Sequence, residues 1–132
     1  MLPRFLLDTH VAIRWLVDPR KLSREQLRTL EATERRSEPV AFSPMSLIEA
    51  AMLTSEGKLR MSLEDFFELL RTNAFFRILP LSYEIASEVA SLGRTLRDPA
   101  DRIIVATARV HRLRLITSDQ RIIESKLVPV LE

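Results

Sequence analysis

Four carboxylates stand where apolar or purely structural residues would be expected. Asp8 closes the apolar run RFLLD, Asp101 heads the run IIVATA, Asp119 follows LRLIT by two residues, and Glu49 lies inside SLIEAAML. Glu49 has Met45, Met52 and Leu53 at i−4, i+3 and i+4. That spacing puts it on the apolar face of a helix, where a solvated Glu is unusual. Ser46-x-x-Glu49 also fits a capping box, but Ser43-Pro44 is the better helix start and leaves Glu49 too deep to cap. In Asp98-Pro-Ala-Asp101 the first acid reads as an N-cap and the second falls in the first turn. Asp101 also heads the stripe Ile104, Val105, Ala108, so its face is the buried one. Asp8 and Asp119 taken singly also read as helix caps. The case for chemistry is that all four acids can meet at one edge.

Clustered carboxylates repel one another and raise one another's pKa. A divalent cation resolves that repulsion. Oxygen ligands suit the hard ions Mg²⁺ and Mn²⁺. There is no cysteine, and His10 and His111 show no zinc spacing. A carboxylate site holding one or two hard ions is suited to phosphodiester hydrolysis by an activated water, with no covalent nucleophile from the chain.

The elements that must position these acids alternate. Strands are expected at 4–8, 39–43, 75–80, 113–117 and, weakly, 127–131. Helices are expected at 10–18, 23–36, 44–58, 62–73, 82–96, 98–112 and 119–125. Ser23 with Gln26 is a capping-box pair, and Gly57 ends the third helix. Strands alternating with helices imply an α/β fold on a mainly parallel sheet. In such a sheet, sites form beyond the carboxyl ends of the strands. Asp8 and Asp119 both fall there.

The chain of 132 residues, 46% hydrophobic, suits one domain over 1–132 with a real core. No linker or repeat interrupts it. No apolar run approaches the ~20 residues of a membrane span, and the N-terminus lacks signal-peptide form. A cytoplasmic protein with no membrane partner is expected, and the missing cysteines agree. Net charge is only +2, yet 17 Arg stand against 3 Lys. Arg matches phosphate geometry well, so a nucleic-acid partner is a candidate. Genome composition explains the same bias equally well. With one Trp and one Tyr, base stacking is a poor binding device here.

Taken in order, FLLDTHVAIRWL, SLIEAAML, RDPADRIIVATA and LITSDQRI make the chain resemble the PIN-domain ribonucleases, specifically the VapC-type toxins of bacterial toxin–antitoxin pairs. The resemblance implies a three-layer α/β/α sandwich and Mg²⁺- or Mn²⁺-dependent endoribonuclease activity. It maps the acidic quartet onto Asp8, Glu49, Asp101 and Asp119. It makes Thr9 and Thr117 polar neighbours of the metal and Asp98 an auxiliary acid. His10 occupies a position where many relatives carry Asn. The implied partners are an RNA of the tRNA or rRNA class, a cognate antitoxin whose C-terminal segment covers the site, a second copy in a homodimer, and promoter DNA only through the antitoxin. Arg97, Arg102 and Arg121 are candidate phosphate contacts. Any exposed Phe of FFELLRTNAFF, with Trp15 and Leu16, would suit an antitoxin helix.

Rival readings fare worse. A haloacid-dehalogenase-type phosphatase needs an Asp two residues after Asp8, where His10 stands. A receiver domain needs a Lys after a late strand, and Lys126 precedes the last one. A non-catalytic binding module of the same fold is the remaining alternative. The intact set of four acids weighs against it.

Overall fold

A computed structural model describes all 132 residues. Five short strands form one sheet: β1 (Phe5–Leu7), β2 (Val40–Phe42), β3 (Phe76–Ile78), β4 (Arg114–Ile116) and β5 (Val130–Leu131). Every pairing is parallel, in the order β3-β2-β1-β4-β5. The helices are α1 (Thr9–Val17), α2 (Arg24–Arg35), α3 (Pro44–Ser55), α4 (Leu63–Thr72), α5 (Tyr83–Ser91), α6 (Pro99–Val110) and α7 (Gln120–Ser125).

Strand side chains alternate between two cores, which is what a parallel sheet covered on both faces requires. Leu7, Phe42, Phe76 and Ile116 point into one, joined by Val11, Leu30, Phe66 and Leu70 from α1, α2 and α4. Leu6, Ala41 and Leu115 point into the other, joined by Ile85, Ile104, Val105, Ala108 and Ile122 from α5, α6 and α7. The result is the three-layer α/β/α arrangement expected. No helix is long and apolar enough to cross a membrane.

Helix starts follow local chemistry. Ser23 and Gln26 form a complete capping box, Ser43 caps α3 ahead of Pro44, and Asp98 caps α6 ahead of Pro99. The largest departure is in the expected helix 82–96. It stops at Ser91, and Gly93 takes a left-handed φ of 75°. Only glycine adopts that conformation without strain. The stretch from 92 to 98 therefore turns back irregularly toward α6. A single 3₁₀ turn at Pro19–Lys21, which periodicity does not show, joins α1 to α2.

Strand order matters most for function. The chain leaves β1 for β2 and β3 on one side, then returns for β4 and β5 on the other. The switch point lies between β1 and β4, where an open parallel sheet leaves a crevice beyond its carboxyl edge. Asp8 follows β1 immediately and Asp119 follows β4 by three residues.

Candidate functional site

All four predicted acids line one cleft of about 550 Å³, together with Asp98, Thr9, His10 and Arg121. They arrive by separate routes. Asp8 and Asp119 follow the two strands flanking the switch point and cap α1 and α7, Glu49 lies on the second turn of α3, and Asp101 on the first turn of α6. As they stand, no three of them close on one point as a finished metal cage.

A chain of hydroxyls couples the acids. Thr117, fully buried, donates its hydroxyl to Asp8 Oδ2 at 2.6 Å and accepts from the Asp119 N–H at 3.0 Å. One side chain thus ties the acid of β1 to the acid of β4. Thr9 Oγ1 lies within hydrogen-bond distance of both Glu49 Oε1 and Ser46 Oγ. A hydroxyl has one proton, so Thr9 donates to the carboxylate and Ser46 donates to Thr9. Asp8 Oδ1 meanwhile accepts from the Thr9 N–H at 2.9 Å. Replacing Thr117 by Val keeps the shape and removes the hydroxyl. It is expected to cost about 1–3 kcal/mol, because a buried donor and acceptor lose their partner. Urea denaturation measures this, with Thr117→Ser as the variant that retains most of the stability.

Three contributors escaped the sequence reading. His10 is more than an early helix residue. Its Nε2 accepts from the Ser118 N–H at 3.1 Å, so the neutral ring carries its proton on Nδ1, which faces Asp8 Oδ2 at 3.3 Å. Burial holds the His10 pKa below its ordinary value against the pull of Asp8, which favours this neutral form. Gln26, also fully buried, donates from Nε2 to Ser118 Oγ at 2.9 Å. Residue 118 is therefore pinned from two sides, which fixes the approach to Asp119. Ser46 supports Thr9 from below. Its i, i+3 spacing to Glu49 was the visible signal; nothing in the sequence marks Gln26 beyond its capping role.

Electrostatics divide the acids. Burial, then the charges of Asp98, Asp119 and Asp8, push Asp101 up to about 7 despite Arg121. Burial also raises Glu49, against the Thr9 hydrogen bond. For Asp119 burial acts upward, but hydrogen bonds and charge from Arg121 outweigh it and the pKa falls. Asp101 Oδ2 is buried and accepts no hydrogen bond. Asp98 uses Oδ1 to cap α6 through the Asp101 N–H, at 3.1 Å, so its structural role is real and it still faces the cleft.

One expectation needs correction. Arg102 is no phosphate contact: its guanidinium donates to the carbonyls of Val89, Gly93 and Leu96 at 2.6–2.7 Å. Arg97 is exposed without an ion pair, and Arg121 faces the acids themselves. The phenylalanines also divide. Phe66, Phe75 and Phe76 are core, and Trp15 packs on Phe75 with ring centroids 6.0 Å apart. Only Phe67 is exposed, in a shallow groove with Leu47, Ile48, Ala51 and Leu63.

The arrangement offers oxygen donors of the kind a hard divalent cation takes, at the edge where an extended substrate can enter. Comparison with known proteins agrees with the geometry. The PIN domain family model matches residues 5–126. Ribonuclease VapC22 of Mycobacterium tuberculosis is 30% identical over 118 residues, covering 89% of this chain and 88% of the relative. Among solved structures, VapBC2 from Rickettsia felis bound to a DNA fragment from their promoter superposes with a TM-score of 0.73 at 15% identity, over 96% of each chain. A toxin–antitoxin complex from Klebsiella pneumoniae gives 0.65 at 26% identity, over 96% of this chain and 95% of that one. A parallel sheet in the order 3-2-1-4-5 with acids gathered at its switch point, matched over nearly its whole length, places this chain in the PIN-domain family as a homologue of the VapC ribonucleases.

Proposed function

We propose that the chain is the endoribonuclease toxin of a toxin–antitoxin pair, hydrolysing RNA phosphodiester bonds with Mg²⁺ or Mn²⁺ held by Asp8, Glu49, Asp101 and Asp119. One observation carries the reading: acids from four separate segments share one cleft, and one of their oxygens, Asp101 Oδ2, is buried without a hydrogen bond. A buried carboxylate oxygen left unsatisfied is costly, and a cation is what satisfies it. The donor set fits a hard ion. Mg²⁺ binds through one or two carboxylates and completes its shell with water and substrate phosphate, so it does not require a closed cage of side chains.

When bound, the ion supplies charge neutralisation at the scissile phosphate and an acidified water. The chain does the rest. Asp101 and Asp119 present carboxylates across the switch point. Thr117 and His10 hold Asp8 in place, and Thr9 holds Glu49. The one hydroxyl lining the cleft, Thr9, is committed to a carboxylate and is not assigned as a nucleophile. The proposed partners are an RNA of the tRNA or rRNA class, a cognate antitoxin and a second copy of the chain, with promoter DNA reached through the antitoxin. Support for the antitoxin comes from the matched Rickettsia and Klebsiella proteins, which are complexes of that kind.

The test is cleavage of total cellular RNA, mapped by end sequencing, with Mg²⁺, with Mn²⁺ and with chelator. Wild type and Asp8→Asn are run together. Discrete cuts present only with metal and lost in the variant are expected. Cuts that persist in chelator would remove the metal from the mechanism, and no cuts at all would favour a binding module. A second measurement is thermal. Mn²⁺ at about 100 times its Kd should add roughly 2.7 kcal/mol of stability, and chelator should take it away.

A further inference from the structure

Arg121 holds a position no other cation in the cleft shares. Its Nη2 lies 3.3 Å from Asp119 Oδ2 and 3.7 Å from Asp101 Oδ2, the oxygen that accepts no hydrogen bond. Its Nε lies 3.4 Å from Asp119 Oδ1. Arg14 and Lys21 line the same cleft and form no ion pair with these acids. Two features make the Arg121 contacts displaceable. They are long for charge-assisted bonds, which run about 2.7–2.9 Å. The side chain is also 71% exposed, so it can swing into water at little cost.

We propose that Arg121 is a tethered counter-cation, which neutralises Asp101 and Asp119 in the metal-free protein, competes with the divalent ion for them, and is released to the RNA phosphate when the ion binds. The inference rests on the metal reading above. Its physical basis is mutual exclusion. A guanidinium bridging two carboxylates and a divalent ion between the same carboxylates cannot occupy one space, and two cations there repel. Displacement also has a product. A freed guanidinium at the cleft mouth is a planar donor matched to phosphate. Metal loading and substrate capture would then be linked through one side chain, and the empty site would be kept from self-repulsion.

The experiment measures Mn²⁺ affinity without RNA, by titration calorimetry and by the paramagnetic resonance of free Mn²⁺. Wild type, Arg121→Gln, Arg121→Lys and Arg14→Gln are compared, each checked for folding by circular dichroism. Arg121→Gln is expected to bind Mn²⁺ about tenfold more tightly, since a positive charge 3–4 Å from the ligand oxygens is removed. Arg121→Lys should fall between the two. Arg14→Gln should stay within about twofold of wild type, because Arg14 lines the cleft without touching the acids. Equal affinity in wild type and Arg121→Gln would overturn the competition and leave the metal reading intact. So would weaker binding in Arg121→Gln, or an equal gain in Arg14→Gln, which would mark a general field effect. Failure of both wild type and Arg121→Gln to bind Mn²⁺ would overturn the metal reading and this inference together.

Discussion

Asp101→Asn is expected to abolish metal-dependent cleavage and yet give a protein that, without metal, is more stable than wild type above neutral pH. Groups one step behind a metal typically cost about 10–100-fold when removed. A carboxylate proposed as a ligand should cost more. The stability gain follows from the surroundings of Asp101. It is 8% exposed, feels the charges of Asp98, Asp119 and Asp8, and leaves Oδ2 without a hydrogen bond. Burial and those charges put its folded pKa at about 7, above the ordinary 3.8. The sign follows from proton counting. Below about pH 4 the group is protonated in both folded and unfolded chains, and nothing is lost. Between about pH 4 and 7 the folded protein keeps a proton that the unfolded chain releases, so stability falls as pH rises. Above about 7 the full cost is present. Asparagine is neutral throughout and lacks this slope. Denaturant unfolding at pH 5 and pH 8, with chelator and with Mn²⁺, reads the effect directly. Wild type should lose stability between those two pH values in chelator and regain it with Mn²⁺. The variant should lose less, keeping only the share that the raised Glu49 contributes, and should gain little from Mn²⁺. A variant that followed the wild-type pH profile would show that Asp101 does not carry the buried charge.

The acids themselves were legible because their signals are local. A carboxylate at the head of a buried stripe, as at Asp101, can be read from i+3, i+4 and i+7. The caps were legible for the same reason, and Ser23, Ser43 and Asp98 behave as their spacing implied. The connections between acids were not legible. Thr117 can link Asp8 to Asp119 only because β4 lies beside β1, a pairing of segments 109 residues apart. Family resemblance flagged Thr117 as polar and near the site; only strand order explains what its hydroxyl does. His10 and Gln26 meet at residue 118 for the same long-range reason. Boundaries failed where a glycine intervened. Periodicity carried the fifth helix through Gly93, although its left-handed turn ends the helix there and creates carbonyls that need a donor.

That donor is Arg102, and Arg102→Ala is expected to destabilise the protein by about 3 kcal/mol, lowering Tm by about 10 °C. The last carbonyls of a helix have no partner within it. At the end of α5 the Val89 carbonyl receives the Arg102 guanidinium at 2.7 Å, and the Gly93 and Leu96 carbonyls beyond it each receive it at 2.6 Å. Hydrogen bonds from a charged donor contribute about 1.5–3 kcal/mol each, and water recovers part of that at a half-exposed position. The guanidinium thus stitches α5, the irregular stretch 92–98 and the first turn of α6 into one unit. That unit carries Asp98 and Asp101. Arg102→Lys should rescue less than half of the loss, because a single ammonium cannot span three carbonyls that a planar fork reaches together. RNA binding separates this role from the phosphate contact that the sequence suggested. A phosphate-binding Arg would leave Tm unchanged and reduce the salt dependence of RNA affinity by about 0.7 in the log–log slope. The carbonyl clamp does the reverse: Tm falls, and the salt slope of the folded fraction stays that of wild type.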